Sequence, residues 1–175
     1  MKRTVILSAL LLIAAACGTA LPTAKQVPDS LKPSDTEVLL GSVGARGVQI
    51  YECRVKSGDS QATEWVFVAP EADLFAHGKV VGKHYAGPQW ESADGSKIAG
   101  VVKARVDAPN AGTIPWLLLA TKSVGPVGSF AKVTSVQRLN TEGGAAPDAA
   151  ACTAASVGQR ARVSYTADYV MFGGR

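Results

Sequence analysis

The sequence is short of aromatics, of charge and of histidine. Only 6% of its 175 residues are aromatic and 18% are charged, and His77 and His84 are its only histidines. Two imidazoles are too few for a histidine-rich metal centre. No apolar run approaches the roughly 20 residues that a membrane-spanning helix needs. No G-x-S-x-G, H-E-x-x-H or P-loop occurs, so the hydrolase, zincin and triphosphatase sites that those motifs mark are not signalled. No C-x-x-C occurs either, which argues against a redox pair or a zinc site. Basic residues exceed acidic ones by 18 to 14, giving a pI near 9.1, but the excess is scattered and Lys2 and Arg3 fall in a leader. With no basic run beyond that leader, nucleic acid is not an expected partner. What is plentiful is glycine (18), proline (9) and apolar residues (47%), enough to bury a core and too many for disorder.

The leader is the most informative stretch. Lys2 and Arg3 precede an apolar run over residues 5–16 broken only by Ser8, the pattern of a signal peptide. Ala14-Ala15-Ala16 stand directly before Cys17-Gly18, as in a bacterial lipoprotein signal, where the thiol is acylated and becomes the new N-terminus. The rival readings are ordinary cleavage after Ala16 or Ala20, giving a soluble periplasmic or secreted protein, and an uncleaved anchor. The expected organisation is a signal peptide at 1–16, lipidated Cys17 with a tether over 17–34, and one domain over 35–175. Its partner is then a membrane, reached through the N-terminal lipid.

Three cysteines is an odd number for an exported chain. Assigning Cys17 to lipid leaves Cys53 and Cys152, which an oxidising compartment pairs most simply as a disulfide.

From residue 37 onward the apolar pattern has period two. Residues 48–55 alternate, with Val48, Ile50 and Glu52 on one face and Gln49, Tyr51, Cys53 and Val55 on the other. Strands are also expected over 37–43, 64–69, 79–85, 97–106, 116–122, 131–139 and 159–172, with one helical turn after Pro70 over 71–75. Asp94-Gly95 marks a hairpin. No repeat and no second domain is visible. The reading is all-β: a single sandwich or barrel-like domain of about eight short, mostly antiparallel strands with little helix.

Gly41, Gly44 and Gly47 invite a nucleotide reading, but a strand pattern follows them where a phosphate loop must open a helix. No nucleotide or other cofactor is expected. The densest polar and aromatic cluster runs from His84 and Tyr85 through Trp90 and Glu91 to Asp94, and these five are the candidate binding residues. Trp90 fits a sugar-stacking platform or a core indole. A metal held by His84, Glu91 and Asp94 lacks the ligand number such a site needs, and a Ser96–His84–Asp94 relay lacks an elbow motif. No metal site and no catalytic residue is assigned. Arg46, Gln137, Arg138 and Asn140 read as surface or loop-pinning groups.

Several of these segments also resemble a known family. The stretch A-R-G-V-Q-I-Y-E-C at 45–53, W-V-F-V-A-P-E-A-D-L-F at 65–75, residues 82–90, Asp94-Gly95-Ser96, I-P-W-L-L-L at 114–119, residues 136–144, Cys152 and Ala167-Asp168-Tyr169 are similar to exported bacterial and fungal proteins of unknown function, the family numbered 3455. The resemblance covers about residues 27–172. Lys83 and Gln89 stand where threonines are expected. It implies no activity and no catalytic residues. The leading reading is a non-enzymatic envelope module with an unknown ligand or envelope partner; the alternatives are a small hydrolase or metal enzyme around His84, and a structural envelope component.

The leader generates a direct expectation. Mass spectrometry of the mature N-terminus should find acylated Cys17, and Cys17→Ala should release the protein from membranes; an N-terminus at Leu21 would overturn the lipid assignment.

Overall fold

Eight strands, each hydrogen-bonded to the next in sequence, close into an up-and-down barrel in the computed structural model, which describes residues 27–175. They are β1 (Glu37–Lys56), β2 (Asp59–Ala76), β3 (Lys79–Tyr85), β4 (Gln89–Ser92), β5 (Lys97–Val106), β6 (Trp116–Ser123), β7 (Ser135–Gly143) and β8 (Arg160–Gly174). Antiparallel pairing of β1 with β8, from Glu37↔Gly174 to Glu52↔Arg160, completes the ring. The all-β expectation holds, and of the two architectures it allowed the chain adopts the barrel, in which closure leaves no free edge strand. The signal peptide, the lipid site Cys17 and tether residues 17–26 lie outside the described residues.

The segments expected as two strands, 37–43 and 48–55, form one continuous β1, with Gly41, Gly44 and Gly47 inside it. At Gly47 a Cβ would lie 2.1 Å from the Glu71 carbonyl oxygen and 2.5 Å from the Ala72 Cα, so only glycine lets β1 and β2 approach so closely there. The glycines thus open no helix, the context that a phosphate loop requires. The helical turn expected over 71–75 is instead part of β2, which runs straight through Pro70. Pro70 lies beyond the β2–β3 pairing, which starts at Ala72↔His84, so β2 has no strand to bond on that side and tolerates the missing N–H.

The continuous apolar run of β6 reflects burial on both faces. Leu117 and Leu119 join the barrel core with Val43, Leu74, Trp90 and Val136, while Trp116 and Leu118 pack outside with Leu139, Val170 and Leu31. Leu31 belongs to a single 3₁₀ turn, Asp29–Leu31, in the stretch read as the end of the tether. It is fully buried, and its carbonyl accepts from Gln137 Nε2 at 2.6 Å. Packing on the domain thus begins by Val27, because an apolar side chain of this size gains roughly 1.5–3 kcal/mol by leaving water. The loop between β6 and β7 sends Phe130 and Val133 into the barrel core and stoppers one end.

Cys53, fully buried on β1, is bonded to Cys152 in the loop that precedes β8, with Cα atoms 5.4 Å apart, as expected. The Thr63 hydroxyl donates to the Cys152 carbonyl, and Trp65 Nε1 donates to the Asp148 carbonyl at 3.1 Å, so β2 grips the same loop. The double substitution Cys53→Ala/Cys152→Ala should lower unfolding free energy by about 2–5 kcal/mol, read from denaturant melts of the oxidised protein and the variant.

Candidate functional site

The barrel wall is incomplete where its strands are shortest. β4 pairs with β5 only from Gln89↔Ala99 to Glu91↔Lys97, and β3 meets β2 only as far as Ala72↔His84. Both β2 and β5 run on past the tip of the β3–β4 hairpin, leaving a notch between them. Gly87-Pro88 forms its sill, and exposed Phe67, Val102 and Arg105 flank it. Gly87 takes φ 111°, a conformation that favours glycine, and so permits this tight tip. Behind the notch lies a cavity of about 620 Å³, whose walls include Gln49, Tyr51, His84, Trp90, Arg138 and Tyr169.

Register explains why these side chains share one interior. Residues directly opposite one another on paired strands face the same side of a sheet. The series Arg105↔Leu117, Leu117↔Arg138 and Arg138↔Tyr169 therefore forms one inward row across β5 to β8. Tyr51↔Phe67 extends the inner face across β1 and β2, with the two rings edge to face at 5.8 Å. The Tyr51 hydroxyl donates to the Gly144 carbonyl at 2.7 Å.

His84 and Trp90 are cross-strand partners, and their rings stack with centroids 4.5 Å apart and an interplanar angle of 15°. Tyr169 meets His84 edge-on at 5.0 Å. Gly100 makes room for the indole, since a Cβ there would lie 2.9 Å from Trp90 Cζ3. His84 Nδ1 is 2.8 Å from the Gln89 carbonyl, which only accepts, so Nδ1 carries the proton and Nε2 keeps its lone pair. That bond uses the main chain of residue 89 and does not depend on its side chain. Burial lowers the imidazole pKa from 6.5 to about 3, against the opposing effect of the Gln89 bond and with the help of the Arg138 cation. Burial likewise raises the pKa of Tyr165 and Tyr169, keeping both phenols protonated.

The five expected binding residues occupy three places. His84 and Trp90 face inward. Glu91 lies on the outer face, between Lys83 and Lys97 in register, and is half-buried there. Tyr85 donates to Glu91 Oε2 at 2.5 Å, and Lys97 Nζ lies 3.0 Å from the same oxygen, holding that carboxyl below its usual range. Asp94 sits in the β4–β5 turn and accepts four hydrogen bonds, from the backbone and hydroxyl of Ser96 and of Ser129, which hold its carboxyl well below the carboxylate range. Ser96 Oγ in turn accepts from the Phe130 backbone, so Asp94 clips the stoppering loop in place. Ser96 is bonded to Asp94 while His84 is bonded to Gln89, so a Ser96–His84–Asp94 relay is not assembled. Among the described residues, no group of three His, Cys, Asp or Glu is placed to hold a metal ion.

Arg138, read from the sequence as a surface or loop-pinning group, belongs to the interior. It does pin a loop, since Nε and Nη2 donate to the Pro115 carbonyl at 3.0 and 2.9 Å. Its guanidinium also stands beside the Tyr169 hydroxyl, and none of the ion pairs among the described residues includes it. Gln49, Tyr51 and Tyr169 were also missed. For the first two a signal existed: they alternate with Cys53, and a disulfide cysteine marks the buried face of its strand.

The family model described as Protein of unknown function (DUF3455) matches residues 33–173, and the chain belongs to that family. No curated protein and no solved structure matches it.

The depressed pKa of His84 makes a signed prediction. Unfolded, His84 takes up a proton near pH 6.5; folded, it does so only near pH 3. Its contribution to stability is therefore complete above pH 6.5 and is lost as pH falls toward 3, by about 1.4 kcal/mol per pH unit within that window. The stability of wild type should fall more steeply with acid than that of His84→Phe by about this slope. Equal slopes in denaturant melts between pH 6 and pH 4 would show that the imidazole is charged in the folded barrel.

Proposed function

We propose that this member of the DUF3455 family is a non-enzymatic binding module, held at a face of the cell envelope by a lipid on Cys17, that takes a small, largely apolar ligand into its barrel. The observation that carries this reading is the cavity of about 620 Å³ behind the notch at Phe67, Val102 and Arg105. An eight-stranded barrel has an interior wide enough either to be filled by its own side chains or to hold one small ligand. Here one end is filled, by Phe130, Val133, Ile98 and Met171, and the other is not. The volume lies within the range of small-molecule sites, which combine apolar walls with a few polar groups that fix orientation. Pro88, Leu117 and Leu119 supply walls of that kind, and Gln49, His84 and Arg138 supply the polar groups.

The chemistry of the site favours binding over catalysis. His84 is neutral, stacked and tied to the main chain, so it is poorly placed to exchange protons near neutral pH. The candidate carboxylates Glu91 and Asp94 are committed to outer-face and turn contacts. The envelope location rests on the leader alone.

Isothermal titration with naphthylmethanol, a neutral molecule with a flat apolar body, should show one site per chain with a negative heat-capacity change. Val102→Trp narrows the notch at an exposed position and should weaken binding by about tenfold, a loss of roughly 1.4 kcal/mol. Absence of heat with wild type would overturn the binding reading.

A further inference from the structure

The cavity holds more hydrogen-bond donors than it can use. A guanidinium carries five N–H donors, and Arg138 spends two of them on the Pro115 carbonyl. Gln49 Nε2 and Trp90 Nε1 are also donors, both buried and both without a hydrogen-bond partner among the described residues. Gln49 is 2% exposed and Trp90 1% exposed, so water does not satisfy them in bulk. All three residues line the same space, and among the described residues no carboxylate does. The Tyr51 hydroxyl is committed to Gly144, and those of Tyr165 and Tyr169 stand 3.5 Å apart, Tyr165 beside Gln49 and Tyr169 beside Arg138; both phenols are neutral, so neither balances the guanidinium charge. A half-buried cation with no counter-ion among the described residues, sharing its cavity with idle donors, is costly to keep in a folded core.

Resting on the reading of this cavity as a ligand site, we infer that the ligand carries a carboxylate, seated against Arg138 with Gln49 within the same polar corner, and that its apolar body occupies the walls formed by Pro88, Leu117, Leu119 and Val102. An ionised carboxylate is acceptor-only and matches the guanidinium fork with two parallel hydrogen bonds. It also balances the charge: the one half-buried cation meets one negative charge, whereas a phosphate monoester would leave a second negative charge unpaired in the cavity. Arg105, on the same inward row but at the exposed notch, gives an approaching anion a second cation to meet on the way in.

The test compares three probes with one flat body and different heads: naphthoate, naphthylmethanol and naphthylmethylamine, titrated into the purified full chain by calorimetry. Wild type should bind naphthoate about tenfold or more tightly than the alcohol, as befits hydrogen bonds to charged groups, and the amine more weakly than either. Arg138→Met should erase the preference for naphthoate, so that the variant binds the acid no more tightly than it binds the alcohol. Should Arg138→Met fail to melt cooperatively, Arg138→Lys decides, because it keeps the charge and loses the planar fork: the preference should shrink severalfold, and an undiminished preference would overturn the assignment. Equal binding of acid and alcohol by wild type would overturn the carboxylate inference and leave the cavity reading intact. Binding of none of the three would overturn both.

Discussion

The first strand finds the last. Everything else in the domain depends on the antiparallel ladder between β1 and β8, because without it the eight strands are an open meander with two long edges and no enclosed interior. The ladder runs the length of β8 and most of β1 and continues past the start of β8, with Cys53 N–H bonding the Gln159 carbonyl and Gly158 N–H bonding that of Cys53. The disulfide sits at this same margin. Closing a loop of about 100 residues is the most entropically demanding step in such a topology, and the model-dependent gain from cross-linking it is roughly 4.7 kcal/mol. The seam that is hardest to form is the one the chain secures covalently.

Closure divides the side chains into populations with different work. Inward residues at the stoppered end are apolar and interlocked, while those at the notched end are aromatic and polar around unfilled space. The stack of His84 on Trp90, with Tyr169 against both, builds a rigid partition between the two halves. A neutral imidazole suits that position, since it packs as an aromatic and still keeps an acceptor at Nε2. Outward residues carry the ion pairs, such as Arg162 with Glu71 and Arg160 with Glu52, and these exposed pairs add little to stability. A second apolar cluster outside the wall, around Leu31 and Trp116, joins the N-terminal segment to the barrel.

Much of this was legible in the residues and some was not, for physical reasons. Period-two alternation announced the strands, and Asp94-Gly95 announced a turn in which Gly95 does take φ 83°. The cysteine count announced the disulfide. The continuity of β1 through three glycines was hidden, because whether a glycine ends a strand or admits a close neighbour depends on what crosses it, here Ala72. The path of β2 through Pro70 was hidden for a similar reason: proline is tolerated only because β3 stops short. The compactness of His84 to Asp94 in sequence misled about proximity in space, since successive strand residues point to opposite faces and Glu91 necessarily leaves the side that Trp90 takes. Arg138 was the hardest to read. An arginine at a strand end is ordinarily solvated, and only the closure of distant strands around it puts that charge indoors.

The short β3–β4 hairpin has a mechanical consequence. The covalent tie and the long ladders stiffen β1 against both β2 and β8, whereas β4 is joined to β5 only from Gln89 to Glu91. Thermal breathing is drawn to the weakest joint of a closed ring. The tip bearing Gly87 and Pro88 lies at that joint, fastened to β5 by the bond of Gly100 N–H to the Pro88 carbonyl, and it borders the notch. The same economy of hydrogen bonds that leaves the barrel open therefore makes this hairpin the least secured stretch of the wall, while the seam on the far side holds the frame still.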